Sequence, residues 1–266
     1  MNKFCIKIFF FLLSISLYVN NKTLATDTTP EENTKTKPKN CYPTSEEIYE
    51  KNKHLLCNNS NETKQASELM SEAAKQLTYY AIEFGDQLCK KSNNNSNSRV
   101  CYKKKLENDT KVEMAKYSVD DPNEYNKIIN ELWDPNTRDT FNNGSAKIAR
   151  VYNPNLVIIQ QRFKKKFGCR QKYFNALATK VEIIEGTTVI VMTSANINDH
   201  NPSNKEYKNT IIENANLFKT TIDSEEDIRS GKLNKVFVNI AGYFIQKHLN
   251  GIDVIFLASI DGHSCI

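Results

Sequence analysis

Three tight turns constrain this chain more than any other feature. Asn153-Pro154-Asn155, Glu185-Gly186 and Asn250-Gly251 each separate two runs rich in β-branched and apolar residues. Links that short force the flanking strands to pair antiparallel, since a parallel pairing needs a crossover of a dozen or more residues. The runs are 147–152 and 156–163, 172–184 and 187–194, and 235–246 and 252–260. Residues 100–106 and 111–119, on either side of Asn108-Asp109, read as a further hairpin. Several runs are apolar on both faces: Val157, Ile159 and Phe163 against Leu156 and Ile158, and Val189 and Val191 against Ile190 and Met192. Such a sheet needs cover on two sides.

Helical spacing supplies part of that cover. Over 62–91, Ala66, Leu69, Met70, Ala73, Leu77, Tyr80, Ala81, Phe84 and Leu88 form one apolar stripe. A second, shorter helix is announced at both ends. Asp121 can cap it, Pro122 suits the first turn, and Glu124 falls three residues after the cap. Tyr125, Ile128, Ile129 and Leu132 recur at helical spacing, and Pro135 stops the helix after Trp133. Residues 198–231 read as polar and irregular, with a short helix near 225–229. Helix, strands, helix, then many strands is an α+β order with one large antiparallel sheet.

The first 25 residues read as a leader. Lys3 and Lys7 precede an apolar run over 8–19, and Thr23-Leu24-Ala25 offers small residues for cleavage. A helix of that run spans about 18 Å, short of a hydrocarbon core of about 30 Å. Removing it takes Lys3, Lys7 and Lys22 but no acid, so 36 basic residues become 33 against 31 acidic, a net +2. A near-neutral chain argues against nucleic acid as a partner. The runs Lys103-Lys104-Lys105 and Lys164-Lys165-Lys166 have two readings, solvated edges or contacts for anionic headgroups. Residues 26–61 read as a low-complexity linker, with one short helix around 45–56; the folded domain is expected over 62–266.

Six cysteines remain after the leader, at 41, 57, 89, 101, 169 and 265. The secretory route permits disulfides, and Cys89 and Cys101, flanking an Asn/Ser loop, are the expected pair. No C-x-x-C and no nearby histidine pair suggests zinc, and no metal or cofactor is expected. Enzyme signatures are missing too. The eight glycines are isolated, there is no G-x-S-x-G elbow, and His54, His200, His248 and His263 are scattered. The pattern argues against catalysis.

Trp133-Asp134-Pro135 after an amphipathic helix resembles the corresponding element of START (StAR-related lipid-transfer) domains. So does Gly242-Tyr243-Phe244-Ile245 before the Asn250-Gly251 turn, followed by a strand ending in Asp261. The chain is more closely similar to the fam-a group of malaria-parasite proteins, through 128–135, 150–162, Asn198-Asp199-His200 and 227–233. The resemblance implies a START-like helix-grip fold, a curved antiparallel sheet around a long C-terminal helix with a tunnel between them. It implies non-enzymatic binding and transfer of a phospholipid, phosphatidylcholine above all, with transient membrane contact. It further implies secretion, and export to the host cell or vacuolar space; no R-x-L-x-acid export signal is present. Lipid-contacting candidates are Trp133, Arg150, Tyr152, Ile159, Gln161, Tyr173, Leu177, Ile190, Met192, Phe237 and Asn239, with Arg150, Tyr152, Gln161 and Asn239 as headgroup selectors. The family's long helix after the residue matching Asp261 has no counterpart before Ile266, so an open concave face and weak transfer are expected. The alternative is an exported interaction or surface antigen that keeps the fold without carrying lipid.

Overall fold

The computed structural model describes residues 42–91, 100–106, 110–137, 144–203 and 206–262, with side chains for all of these except 86–91, 100 and 101. The leader, Leu88 and the Cys89–Cys101 pair lie outside these residues or their described side chains.

The helices form where spacing and caps direct them. Helix α1, Ser45–Asn52, opens on a reciprocal cap: Glu47 N–H donates to Thr44 Oγ1 at 3.2 Å, and Thr44 N–H to Glu47 Oε2 at 2.9 Å. It buries Ile48 against the sheet, and Leu56 forms a bridge to Val151, so 44–61 is folded onto the domain. This corrects the linker expected over 26–61, whose second half has enough apolar anchors to pack. Helix α2, Ser60–Lys91, starts where Asn59 Oδ1 accepts from the N–H groups of Asn61 and Glu62, both at 3.1 Å. Its stripe from Ala66 to Phe84 is buried as the spacing predicts. Helix α3, Tyr125–Trp133, follows a single 3₁₀ turn, Pro122–Glu124, capped by Asp121. Glu124 does not reach back to the cap; it pairs with Lys127 instead.

The strands are β1 Val100–Lys105, β2 Lys111–Val119, β3 Gly144–Asn153, β4 Leu156–Phe163, β5 Lys172–Ile184, β6 Thr187–Thr193, β7 Asn196–Asn198, β8 Lys219–Thr221, β9 Asn234–Lys235, β10 Phe237–His248 and β11 Gly251–Asp261. The large sheet runs β1-β2-β11-β10-β6-β5-β4-β3, antiparallel throughout, with β9 added parallel to the start of β5. All four expected hairpins form, and β11 joins the first hairpin to the rest by pairing β2 from Ile252↔Val119 to Ala258↔Glu113. Strands β7 and β8 make a separate parallel pair.

Two cores lie on the two faces. One holds α2 against Leu156, Ile158, Leu177, Val189, Val191, Ile240 and Leu257. The other holds α3 and Ile48 against Val157, Phe174, Ala178, Ile190, Tyr243 and Phe256. The stretch 198–231, expected to be polar and irregular, closes the first core with Ile212, Phe218 and Ile222. Its polar residues are used internally. Buried Asn209 donates to Thr193 Oγ1 and the Asn239 carbonyl and accepts from the N–H groups of Ile211 and Ile212. The short helix α4, Glu226–Arg229, is held by a bidentate contact between Arg162 and Asp227.

Candidate ligand-binding groove

The face opposite α2 carries an apolar groove. Its floor comes from β3, β4, β5, β6, β10 and β11, and its rim from Ile48 and the end of α3 through Trp133, Asp134 and Pro135. Ala146 on β3 and Ile260 on β11 line the same hollow although four strands lie between them. Five strand spacings laid flat would separate β3 from β11 by about 24 Å. Both can face one hollow of about 100 Å³ only because the sheet curls around it. Phe163, Phe174, Ala178, Ile190, Met192, Tyr243 and Phe256 supply most of the lining, with Gln161 as the polar group among the floor residues.

Strand parity decides which sequence candidates reach this groove. Trp133, Ile159, Gln161, Ile190 and Met192 line it. The other six do not. On β5, odd positions lie on the α2 side of the sheet: Leu177 is fully buried in the α2 core, while Tyr173 packs with Ile228 and Leu233 and its O–H donates to Asp199 Oδ2 at 2.9 Å. The even positions, Phe174 and Ala178, face the groove, because successive side chains alternate. On β3 the register slips between Ile148 and Arg150 and again between Val151 and Asn153. These bulges leave Ile148 and Val151 on the groove side and turn Arg150 and Tyr152 away. Phe237 stacks on Tyr207 at 4.2 Å, and Asn239 accepts from Tyr207 O–H at 2.9 Å, both outside the groove.

Arg150 and Tyr152 have a structural task. Glu62 Oε1 on α2 accepts from Arg150 Nη1 at 2.7 Å, Tyr152 O–H at 2.6 Å and Thr220 Oγ1 at 2.8 Å, which ties α2, β3 and β8 together. Burial would raise the Glu62 pKa, but the hydrogen bonds from Tyr152, Thr220 and Arg150 outweigh it and hold the carboxyl below its usual value. Burial and Glu62 together push the Tyr152 phenol far above its own. A comparable knot surrounds buried Asp199, which receives Lys235 Nζ at 2.8 Å, Tyr173 O–H and Asn175 Nδ2 at 2.7 Å.

The groove residues missed in the sequence include Ile48, Phe163, Phe174, Ala178, Tyr243, Phe256 and Ile260. Phe163 could have been found by stepping in twos from Ile159 and Gln161. Phe174 and Ala178 required the register across β4 and β6, where Ala178 sits opposite Val157 and Met192. Among the described residues no helix is long and apolar enough to cross a membrane.

No family model matches this chain, and no curated protein does. Solved structures similar to it include human STARD10, at TM-score 0.44 and 13% identity over 70% of this chain and 67% of that one. The human StAR-related lipid transfer protein 5 is similar at TM-score 0.42 and 11% identity, over 72% and 83% of the two chains. A STAR-related lipid transfer protein fragment (25–204) from Xanthomonas axonopodis is similar at TM-score 0.39 and 10% identity, over 62% and 78%.

Proposed function

We propose that this chain binds a lipid through the curled face of its sheet and carries it between membranes without covalent chemistry, phosphatidylcholine being the expected cargo. The observation that carries this reading is the groove lining, which apart from Gln161 is apolar from Ile48 across the sheet to Ile260. The segments that resemble fam-a, 128–135 and 150–162, form its rim and part of its floor, which supports the same assignment. The leader at 1–25 supports secretion, and export to the host cell or vacuolar space is the proposed destination. Membrane contact is supported by the β4–β5 loop, where fully exposed Phe167 follows Lys164, Lys165 and Lys166.

Transfer of this kind is a balance. Two acyl chains of about 30 methylenes gain roughly 24 kcal/mol on leaving water, at about 0.8 kcal/mol each, and about the same in a bilayer. The groove therefore needs only to match the membrane while sheltering the chains in transit. A hollow of about 100 Å³ accepts a short apolar segment, so full loading requires α3 and the sheet to separate. That small volume favours the second reading, an interaction protein that keeps the fold without cargo. Mass spectrometry of the chain purified without detergent separates the two. Stoichiometric phospholipid is expected; protein that stays lipid-free after incubation with vesicles overturns the carrier reading.

A further inference from the structure

A second hollow opens at the end of the sheet where β5 turns into β6, bounded by α1, α2, α3 and the β3–β4 turn. Its volume is about 870 Å³, within the range of small-molecule sites. Lys180 sits in it. Two positions after Ala178 on β5, Lys180 projects from the groove face, and its Nζ lies over the Trp133 ring, 6.0 Å from the centroid. Trp133, which lines the apolar groove, is thus the groove residue that Lys180 of the cleft reaches.

Three observations mark the cleft as built for a polar guest. Among the described residues no ion pair involves Lys180, although burial lowers its pKa against the opposing field of Glu46. Ser45 is 2% exposed, and its Oγ is buried with no hydrogen-bond partner. Asn155, a residue of the opposite wall, has its Oδ1 buried and unpartnered as well. Buried polar atoms are nearly always paired, so two orphans and a desolvated ammonium in one cleft call for a shared ligand. The sign of that ligand follows from depth. The acids on the walls, Glu46 and Glu182, are exposed to solvent, where water and salt screen them; Lys180 is half-buried and screened less. Tyr125 O–H is already bonded to Thr188 Oγ1 at 2.9 Å and adds no charge.

We infer that this cleft binds a phosphate ester, its oxyanion set against the Lys180 ammonium, with Ser45 O–H free to donate to it and Asn155 Oδ1 free to accept from a ligand hydroxyl. The ester is either the head of a lipid whose tail crosses Trp133 into the apolar groove, which rests on the lipid-carrier reading, or a soluble phosphate ester.

The chain has a single tryptophan, and its ring lies 6.0 Å from Lys180 Nζ, so emission from Trp133 reports on a guest at that ammonium. The test is fluorescence titration of the full chain with decyl phosphate, 1-decanol and glycerol 3-phosphate, repeated on Lys180→Met, Lys180→Arg and Ser45→Ala. Decyl phosphate is expected to bind about tenfold or more tighter than 1-decanol, the scale of one charge-assisted hydrogen bond. Lys180→Met should abolish that difference without changing 1-decanol binding, Lys180→Arg should keep it, and Ser45→Ala should reduce it. Glycerol 3-phosphate binding with no gain from the decyl chain would support the anion site while sinking the lipid-carrier reading. Equal binding of decyl phosphate and 1-decanol would overturn the anion site and leave the carrier reading standing. A Lys180→Met protein that binds decyl phosphate as tightly as the parent would also overturn it.

Discussion

Filling the groove from its floor tests whether the hollow beside α3 is real and used. Ala178 is 3% exposed and lines the hollow; Ala176, two residues earlier on the same strand face, is fully buried in the same core but does not line it. Replacing Ala178 by Leu adds about three methylene equivalents, worth roughly 2.4 kcal/mol at about 0.8 kcal/mol each. A void of about 100 Å³ carries a similar cost, roughly 2.4 kcal/mol at about 24 cal/mol per Å³. Imperfect fit offsets part of this gain, since overpacking costs about 1–3 kcal/mol. Ala178→Leu should therefore leave the protein as stable as the parent or more stable by up to about 2 kcal/mol. Ala176→Leu, with no hollow to enter, should lose about 1–3 kcal/mol. Urea denaturation at fixed m-value measures both. The same Ala178→Leu protein should lose at least about tenfold in affinity for a fluorescent acyl probe, because the added side chain occupies the volume the chain would enter. If Ala178→Leu destabilises as much as Ala176→Leu, the hollow is not there. If stability is kept and probe binding is unchanged, the acyl chain goes elsewhere.

Other expectations come from the polar knots and the backbone. Glu62→Ala removes the acceptor shared by Arg150, Tyr152 and Thr220 and should cost about 2–4 kcal/mol in urea denaturation, since a part-buried cation and phenol lose their partner. Because the folded carboxyl is held below the usual 4.5, its stabilisation is present above pH 4.5 and disappears as pH falls through the depressed value; Glu62→Gln should flatten that acid limb, and an unchanged limb would refute the linkage. Gly242→Ala should destabilise by at least about 2 kcal/mol. Gly242 has φ 154°, and an added Cβ would lie 2.0 Å from the Ile190 carbonyl oxygen, so a soluble variant of parental stability would show that β6 and β10 can part there.

The sequence alone determined the elements. Asn153-Pro154-Asn155, Glu185-Gly186 and Asn250-Gly251 fix hairpins locally, and the stripe from Ala66 to Phe84 fixes a buried helix face, because turn geometry and periodicity act over a few residues. It also picked out Trp133, Ile159, Gln161, Ile190 and Met192, which the fold brings to one groove. Only the tertiary structure decided that Arg150, Tyr152, Tyr173 and Leu177 face the other way, and that a polar stretch around Asn209 is packed inside. A strand apolar on both faces has no preferred side until its neighbours are paired, and a one-residue bulge such as that after Ile148 reverses the facing of the residues beyond it. The meeting of Ser45, Asn155 and Lys180 in one cleft was equally invisible, since three residues from a helix, a turn and a strand share no sequence period.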